Sequence, residues 1–170
     1  VIVPLASDLD GVRSAVKTVA DAAGEPDAGA AAIAAFDRRI AAAQQRRPDT
    51  RPSALIYQVG GSTSAPGTLA DAAVEAAGFR NAALAYATAR TGQVPLEAIV
   101  AQPPELLVLA SPPHQYRTVV ADNLRHPALA QLATRTATVT LPWRLWLCGT
   151  PHIATAIEQL AAAAPARSRP

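Results

Sequence analysis

Hydroxyl, aromatic and imidazole side chains cluster in three loops of this chain, and each loop follows a short apolar run. The loops and the runs before them are residues 60–67 after 55–59, 111–117 after 106–110, and 142–149 after 137–141. If the runs are parallel strands, the loops lie together at the carboxyl edge of one sheet, where open α/β sheets bind ligands. The pattern therefore predicts a ligand-binding cleft.

The first loop offers backbone amides and hydroxyls, and we expect a ligand to contact Gly60, Ser62, Thr63 and Ser64. It stands between a predicted strand and a predicted helix, as phosphate-binding loops do. It has neither the G-x-G-x-x-G nor the G-x-x-x-x-G-K-[ST] pattern, and no lysine follows it. A tight turn with hydroxyls facing a ligand is therefore favoured. A Rossmann-like enzyme lobe that binds a nucleotide or phosphate through residues 60–67 is the alternative.

The other two loops contain ring systems. His114 and Tyr116 could contact a ligand, and either could be an axial ligand if that ligand is haem; alternatively, His114 opens a helix and Tyr116 packs half-buried. Trp143 and Arg144 could form a flat aromatic wall beside a cation for an anionic ligand group. We expect Trp146, in contrast, to fill the space beneath the last helix.

The sequence does not favour an enzyme or a resident metal. Serines, Cys148, His114 and His152 could form a nucleophilic site, but no G-x-S-x-G motif is present and acids are scarce in these loops. Paired Cys and His residues at zinc-binding spacing are also absent. We therefore predict a binding module with no cofactor.

Composition excludes several other classes. Half of the 170 residues are hydrophobic, enough for one domain with a core. The net charge of +2 comes with scattered arginines, so no nucleic-acid partner is expected. No apolar stretch approaches the roughly 18 residues that a membrane-spanning helix requires.

The elements that position the loops alternate between strand and helix, which predicts an α/β fold with a Rossmann-like parallel sheet flanked by helices. Residues 1–5 look like the end of a strand, and residues 79–94 are irregular. The predicted helices are 11–23, 27–47, 68–77, a short one from Pro95, 114–124 and 151–163, and the predicted strands are 53–59, 105–110 and 136–141, with a short piece of unassigned type around 127–133.

The order of these segments resembles the C-terminal part of a substrate-binding protein of ABC importers. The class in question binds ferric siderophores, haem or cobalamin and has two lobes joined by a long rigid helix. The resemblance is carried by Gly60-Gly61-Ser62 through Gly67-Thr68-Leu69, by 76–81 (Ala-Ala-Gly-Phe-Arg-Asn), by 94–109 with Glu105 where aspartate is usual, and by the segment from Pro142-Trp143 to Gly149-Thr150-Pro151.

The resemblance implies that this chain is one lobe of a two-lobed protein. Residues 1–10 would end an N-terminal lobe that lies outside the chain, 11–52 would be connecting helices, 53–164 the C-terminal α/β lobe and 165–170 a tail. It further implies a metal-chelate ligand, a periplasmic location or a membrane anchor on the extracytoplasmic side, and delivery to an ABC permease. Glu97 matches the position at which the family presents a glutamate to arginines of the permease.

Overall fold

The computed structural model describes residues 1–47, 50–86, 92–110 and 119–164. A pair of long helices precedes an α/β lobe, as the sequence predicts. The strands are β1 (Ser53–Tyr57), β2 (Arg80–Asn81), β3 (Leu106–Leu109) and β4 (Ala137–Thr140). The helices are α1 (Leu9–Ala23), α2 (Pro26–Gln44), α3 (Leu69–Ala76), α4 (Ala83–Tyr86), α5 (Leu96–Ala101), α6 (Pro127–Ala133), α7 (Arg144–Leu147) and α8 (Ile153–Ala162), with 3₁₀ helices at Val59–Gly61 and Val119–Arg125.

The four strands form one parallel sheet in the order β2-β1-β3-β4. From β1 the chain goes to β2 at one edge of the sheet. It then passes β1 to reach β3 on the other side, and continues in that same direction to β4 at the opposite edge. The strand order therefore reverses between β1 and β3. In open α/β sheets, ligands bind outside the carboxyl ends of the strands at such a reversal, so the topology supports a cleft at the edge where the three loops begin.

The central strands are apolar on both faces because helices cover both sides of the sheet. Ile56 and Val108 pack on one face with α3 and α8. Leu55 and Leu107 pack on the other face with Ile99 of α5 and the α6 leucines. The alternation follows from the two-residue period of a strand and determines the face of the sheet on which each side chain lies.

The helical pair is attached to the lobe. Asp8 caps α1 by accepting a hydrogen bond from the Gly11 amide at 2.7 Å, and Gly24, with φ of 76°, ends it. On α2, the Arg39 guanidinium donates to both carboxylate oxygens of Glu158 on α8 at 2.7 Å. This paired geometry holds the predicted connecting helix against the last helix of the lobe.

Several predicted elements differ from the structure. Residues 1–5 have no assigned secondary structure, and apolar residues such as Ile2 are exposed because no strand of the described chain pairs with them. The predicted strand 53–59 ends at Tyr57, where a 3₁₀ helix follows, and the irregular stretch 79–94 contains β2 and α4. The predicted loop at 142–149 contains α7. Residues 114–118 of the predicted helix 114–124, with His114 and Tyr116, lie outside the described residues, and its remainder belongs to the 3₁₀ helix Val119–Arg125.

Candidate ligand-binding site

The loop after β1 begins with a tight turn. The Gln58 amide donates to the Ser62 carbonyl at 2.9 Å, and the Gly61 amide donates to the Gln58 carbonyl at 3.0 Å. Gly60 and Gly61 have φ of 72° and 77°, a region that favours glycine. The two glycines therefore allow the chain to reverse within four residues of the strand end.

The Asn123 side chain holds this turn from the second 3₁₀ helix. Its Oδ1 accepts from the Gly60 amide at 3.1 Å, and its Nδ2 donates to the Gln58 carbonyl at 2.9 Å. It also hydrogen-bonds the buried Tyr57 hydroxyl. Burial raises the pKa of Tyr57, the Asn123 hydrogen bond opposes that rise, and the charge of Glu97 adds to it. One amide side chain thus fixes the end of β1.

The same turn is joined to the segment before α5. Ser62 and Gln93 form an antiparallel bridge, and the Val94 amide donates to the Gly61 carbonyl at 2.8 Å. The approach is close: a Cβ atom on Gly61 would lie 2.9 Å from the Val94 carbonyl oxygen. Only glycine fits here without a shift of the backbone.

The second half of the loop is held by a different set of side chains. Asn81 Nδ2 donates to the Ser64 carbonyl at 2.9 Å and to Asp71 Oδ1 at 2.8 Å. The other Asp71 oxygen accepts from the Gly67 amide at 2.9 Å, and the Asp71 amide donates to the Thr68 hydroxyl that caps α3. This network presents Ser64 in a fixed position.

A cleft of about 360 Å³ opens at the carboxyl edge of the sheet. It brings together two of the predicted site residues, Ser64 and Trp143. Trp143 is 38% exposed, and its amide donates to the Ala110 carbonyl at the end of β3 at 3.0 Å. The described lining contains no charged side chain and consists of Leu5, Ala6, Ser7, Gln58, Ser64, Gly67, Thr68, Leu69, Ala70, Trp143, Trp146 and Leu147.

The remaining predicted site residues lie elsewhere. Arg144 is exposed on α7 and is not among the residues that line this cleft. Gly60 lines a different cavity, and Ser62 and Thr63 are not among the described lining residues of either. The Thr63 hydroxyl is buried and has no hydrogen-bond partner within the described ranges. The prediction for His114 and Tyr116 concerns residues outside those ranges.

The second cavity, of about 530 Å³, lies on the other side of the turn. Glu97 lines it from the first turn of α5 and is exposed. Tyr57, Asn123 and His126 also contribute to its wall. The candidate docking glutamate therefore lies in a cavity that shares the β1 turn with the candidate ligand loop.

Sequence reasoning missed three residues that hold the site. Asn81 belongs to the segment that carries the resemblance, but nothing in the sequence indicated what its side chain binds. Asp71 could have been found from the spacing Thr68-x-x-Asp71, which is a capping-box pattern. Asn123 left no signal, because its partner Gly60 is 63 residues away and is contacted through the backbone.

Two further observations concern metal binding and membrane-spanning helices. In the described ranges, no group of three or more His, Cys, Asp or Glu side chains could hold a metal ion. None of the helices described is both long and apolar enough to cross a membrane.

Known proteins with similar sequences or structures include proteins named for binding cobalamin, haem and petrobactin. A cobalamin-binding protein of Halobacterium salinarum is 36% identical over 132 residues, which is 75% of this chain and 34% of that protein. The haem-binding protein RhuT of Roseiflexus sp. RS-1 has a TM-score of 0.70 at 24% identity, over 92% of this chain and 62% of that one. The petrobactin-binding protein YclQ of Bacillus subtilis has a TM-score of 0.71 at 14% identity, over 96% and 62%.

The chain thus spans about a third of the curated relative and under two thirds of these solved structures. The two structural likenesses support the α/β fold predicted from the sequence. The family itself is given by a direct match to the periplasmic binding protein family over residues 1–138. Together with the cleft at the sheet's carboxyl edge, this match shows that the chain belongs to the periplasmic binding protein family.

Proposed function

We propose that this chain forms one wall of a binding site for an iron chelate or related metallo-ligand: a ferric siderophore, haem or cobalamin. The complete protein would capture that ligand outside the cytoplasm and deliver it to an ABC permease. The observation that carries the proposal is the cleft containing Ser64 and Trp143 at the strand reversal of a periplasmic binding protein lobe.

The lining of the cleft suits a large ligand with apolar surface. The Trp143 ring and the half-exposed Leu147 offer a wall against which a macrocycle or the aliphatic arms of a chelator can pack. The side chains of Gln58 and Ser64 can hydrogen-bond the ligand's polar groups. A few polar groups in an otherwise apolar wall are typical of small-molecule sites.

Hydrogen bonds within the loop argue against the alternative, a nucleotide- or phosphate-binding enzyme lobe. A phosphate loop presents free backbone amides to its ligand. Here the amides of Gly60, Gly61 and Gly67 already donate to Asn123, to the Gln58 carbonyl and to Asp71. A phosphate would have to displace those partners, and so we favour a binding protein over an enzyme.

Glu97 supports delivery to a permease. It is exposed on the first turn of α5 and forms no ion pair within the described ranges. A guanidinium group of a partner could therefore pair with it, and a pair at the rim of an interface orients docking. We propose that Glu97 contacts an arginine of the permease.

Titration of the complete protein with haem, cyanocobalamin and a ferric hydroxamate tests ligand capture. We expect saturable binding of one of them, detected by tryptophan quenching and by ligand absorbance. Trp143→Leu should weaken that binding, whereas Leu84→Ala, which truncates an exposed side chain on α4, should not. Failure of all three ligands to bind would refute the proposal.

Stimulation of the permease ATPase in vesicles tests docking. Glu97→Gln should reduce stimulation without changing ligand affinity. The matched control is Glu25→Gln, because Glu25 is also exposed and its side chain makes no capping hydrogen bond. Equal stimulation by wild type and Glu97→Gln would remove Glu97 from the docking surface.

A further inference from the structure

Asn123 contacts the turn after β1 with both ends of its amide group. The acceptor oxygen binds the Gly60 amide and the donor nitrogen binds the Gln58 carbonyl, at 3.1 and 2.9 Å. Because both partners are backbone atoms, Asn123 determines the path of the chain at this point. No role in ligand binding or docking is assigned to it by the sequence.

The turn after β1 also holds the segment that leads to Glu97. The Gly61 carbonyl accepts from the Val94 amide at 2.8 Å, and Pro95 follows as the N-cap of α5. Glu97 lies on the first turn of that helix. Only Pro95 and Leu96 thus separate the residue that is hydrogen-bonded to the turn from the glutamate proposed to dock.

Each of the two glycines in the turn has one close neighbour. A Cβ atom on Gly60 would lie 3.1 Å from Val120 Cγ1, and one on Gly61 would lie 2.9 Å from the Val94 carbonyl oxygen. A displacement of the turn toward either neighbour must therefore move the segment that carries Asn123 or the one that precedes Glu97. Glycine backbones make such a displacement accessible, since they populate both signs of φ.

We propose that Asn123 is a positioning residue that couples the ligand-bearing loop to the docking glutamate. A ligand bound at Ser64 acts on the turn at Gly60, where the two Asn123 hydrogen bonds set the path of the backbone, and the Gly61–Val94 hydrogen bond passes that change to α5. The inference rests on the proposed function for its two ends, the ligand cleft and Glu97. Because linkage is reciprocal, a partner bound at Glu97 changes ligand affinity by the same factor.

Hydrogen exchange of the complete protein, measured with and without ligand, tests the coupling. The probes are haem, cyanocobalamin and a ferric hydroxamate. We expect a bound ligand to slow exchange of the Val94 amide and of the α5 amides, and Asn123→Ala to abolish that change while the protein still binds. Asn123→Asp keeps the acceptor for Gly60 but not the donor to Gln58, and should give an intermediate response.

The control variant removes a hydrogen bond at the other end of the loop. Asn81→Ala removes the hydrogen bond to the Ser64 carbonyl but leaves the contacts of Gly60 and Val94 in place. It should weaken ligand binding while the bound protein still shows slowed exchange in α5. A ligand that binds wild type without altering α5 exchange, or that still alters it in Asn123→Ala, overturns the inference.

A ligand-free measurement separates failure of the inference from failure of the proposed function. In the free protein, Asn123→Ala should raise exchange at Gly60 and Val94 by roughly three- to tenfold, the change that loss of a typical hydrogen bond permits. Asn81→Ala should leave Val94 unchanged. If none of the ligands binds, the proposed function fails; if Val94 exchange is unaffected by Asn123→Ala, the coupling fails.

Discussion

Replacement of Gly61 by alanine tests whether the close approach of the β1 turn to Val94 is essential to the fold. Gly67 provides a matched control. Both glycines have nearly the same φ, 77° and 79°, but a Cβ atom on Gly67 would have no heavy atom within 4 Å. The left-handed conformation costs a non-glycine residue about 1–2 kcal/mol. In both variants, alanine also lowers the conformational entropy of the unfolded chain, and this offsets about 0.4–1 kcal/mol of the backbone cost.

Gly61→Ala has a second cost that Gly67→Ala lacks. Its Cβ atom would lie 2.9 Å from the Val94 carbonyl oxygen, a backbone atom that cannot rotate away. Overpacking of this kind adds about 1–3 kcal/mol, and separating the segments weakens the 2.8 Å Gly61–Val94 hydrogen bond. We therefore expect Gly61→Ala to be less stable than Gly67→Ala by about 1–3 kcal/mol.

Thermal unfolding followed by circular dichroism measures this difference. For a chain of this size, each kcal/mol lowers Tm by about 2–4 °C, so Gly61→Ala should melt about 2–12 °C below Gly67→Ala. Urea unfolding at constant temperature provides an independent value. Equal midpoints for the two variants would show that φ alone determines the cost and would refute the steric argument.

Four other substitutions have defined outcomes. Trp146→Ala should cost about 3–5 kcal/mol of unfolding free energy because the ring is in the core, whereas Trp143→Ala should cost under about 1 kcal/mol and mainly weaken ligand binding; equal losses in chemical denaturation would contradict this. Thr63→Val should raise stability by about 1 kcal/mol, since it removes a buried hydroxyl without a partner in the described ranges, and a lower urea midpoint would count against it. Hydrogen bonding to Arg39 holds the pKa of Glu158 below its ordinary 4.5. The stability that this pair adds, under about 1 kcal/mol at a partly exposed site, is therefore present above that value and lost as the pH falls through the lower folded pKa. The melting temperatures of Glu158→Gln and wild type should converge at acidic pH, and a difference in Tm that does not change with pH would contradict the assignment.

The central part of the fold could be predicted from the sequence because its signal is local. β1 and β3 are apolar runs buried on both faces, and the last helix has an apolar stripe that meets the sheet. The expectation that Trp146 is buried and Trp143 exposed is confirmed, at 8% and 38% exposure.

The elements that were missed depend on distant partners. β2 has only two residues, and it forms because the Arg80 amide donates to the Pro52 carbonyl and the Ala82 amide to that of Ala54. Residues 1–5 have the composition of a strand but lack a neighbouring strand in the described chain.

The candidate site shows the same limit. Ser64 and Trp143 were predicted from loop composition, and the cleft contains both. Gly60 was expected at the ligand, but its amide is bound to Asn123 and it lines the cavity of Glu97 instead. Contacts through backbone atoms between segments far apart in the chain depend on tertiary packing, which composition and spacing do not encode.

The short outer strands have a consequence for behaviour at high protein concentration. A long edge strand is a template for intermolecular pairing and aggregation. In the described sheet one outer strand, β2, has two residues, and the other, β4, has four. The Thr138 hydroxyl of β4 donates to the Thr136 carbonyl at 3.0 Å, so that carbonyl already has a hydrogen-bond donor within the chain. The sheet thus offers a second molecule few free peptide groups to pair with, which protects the folded lobe against strand-by-strand polymerisation.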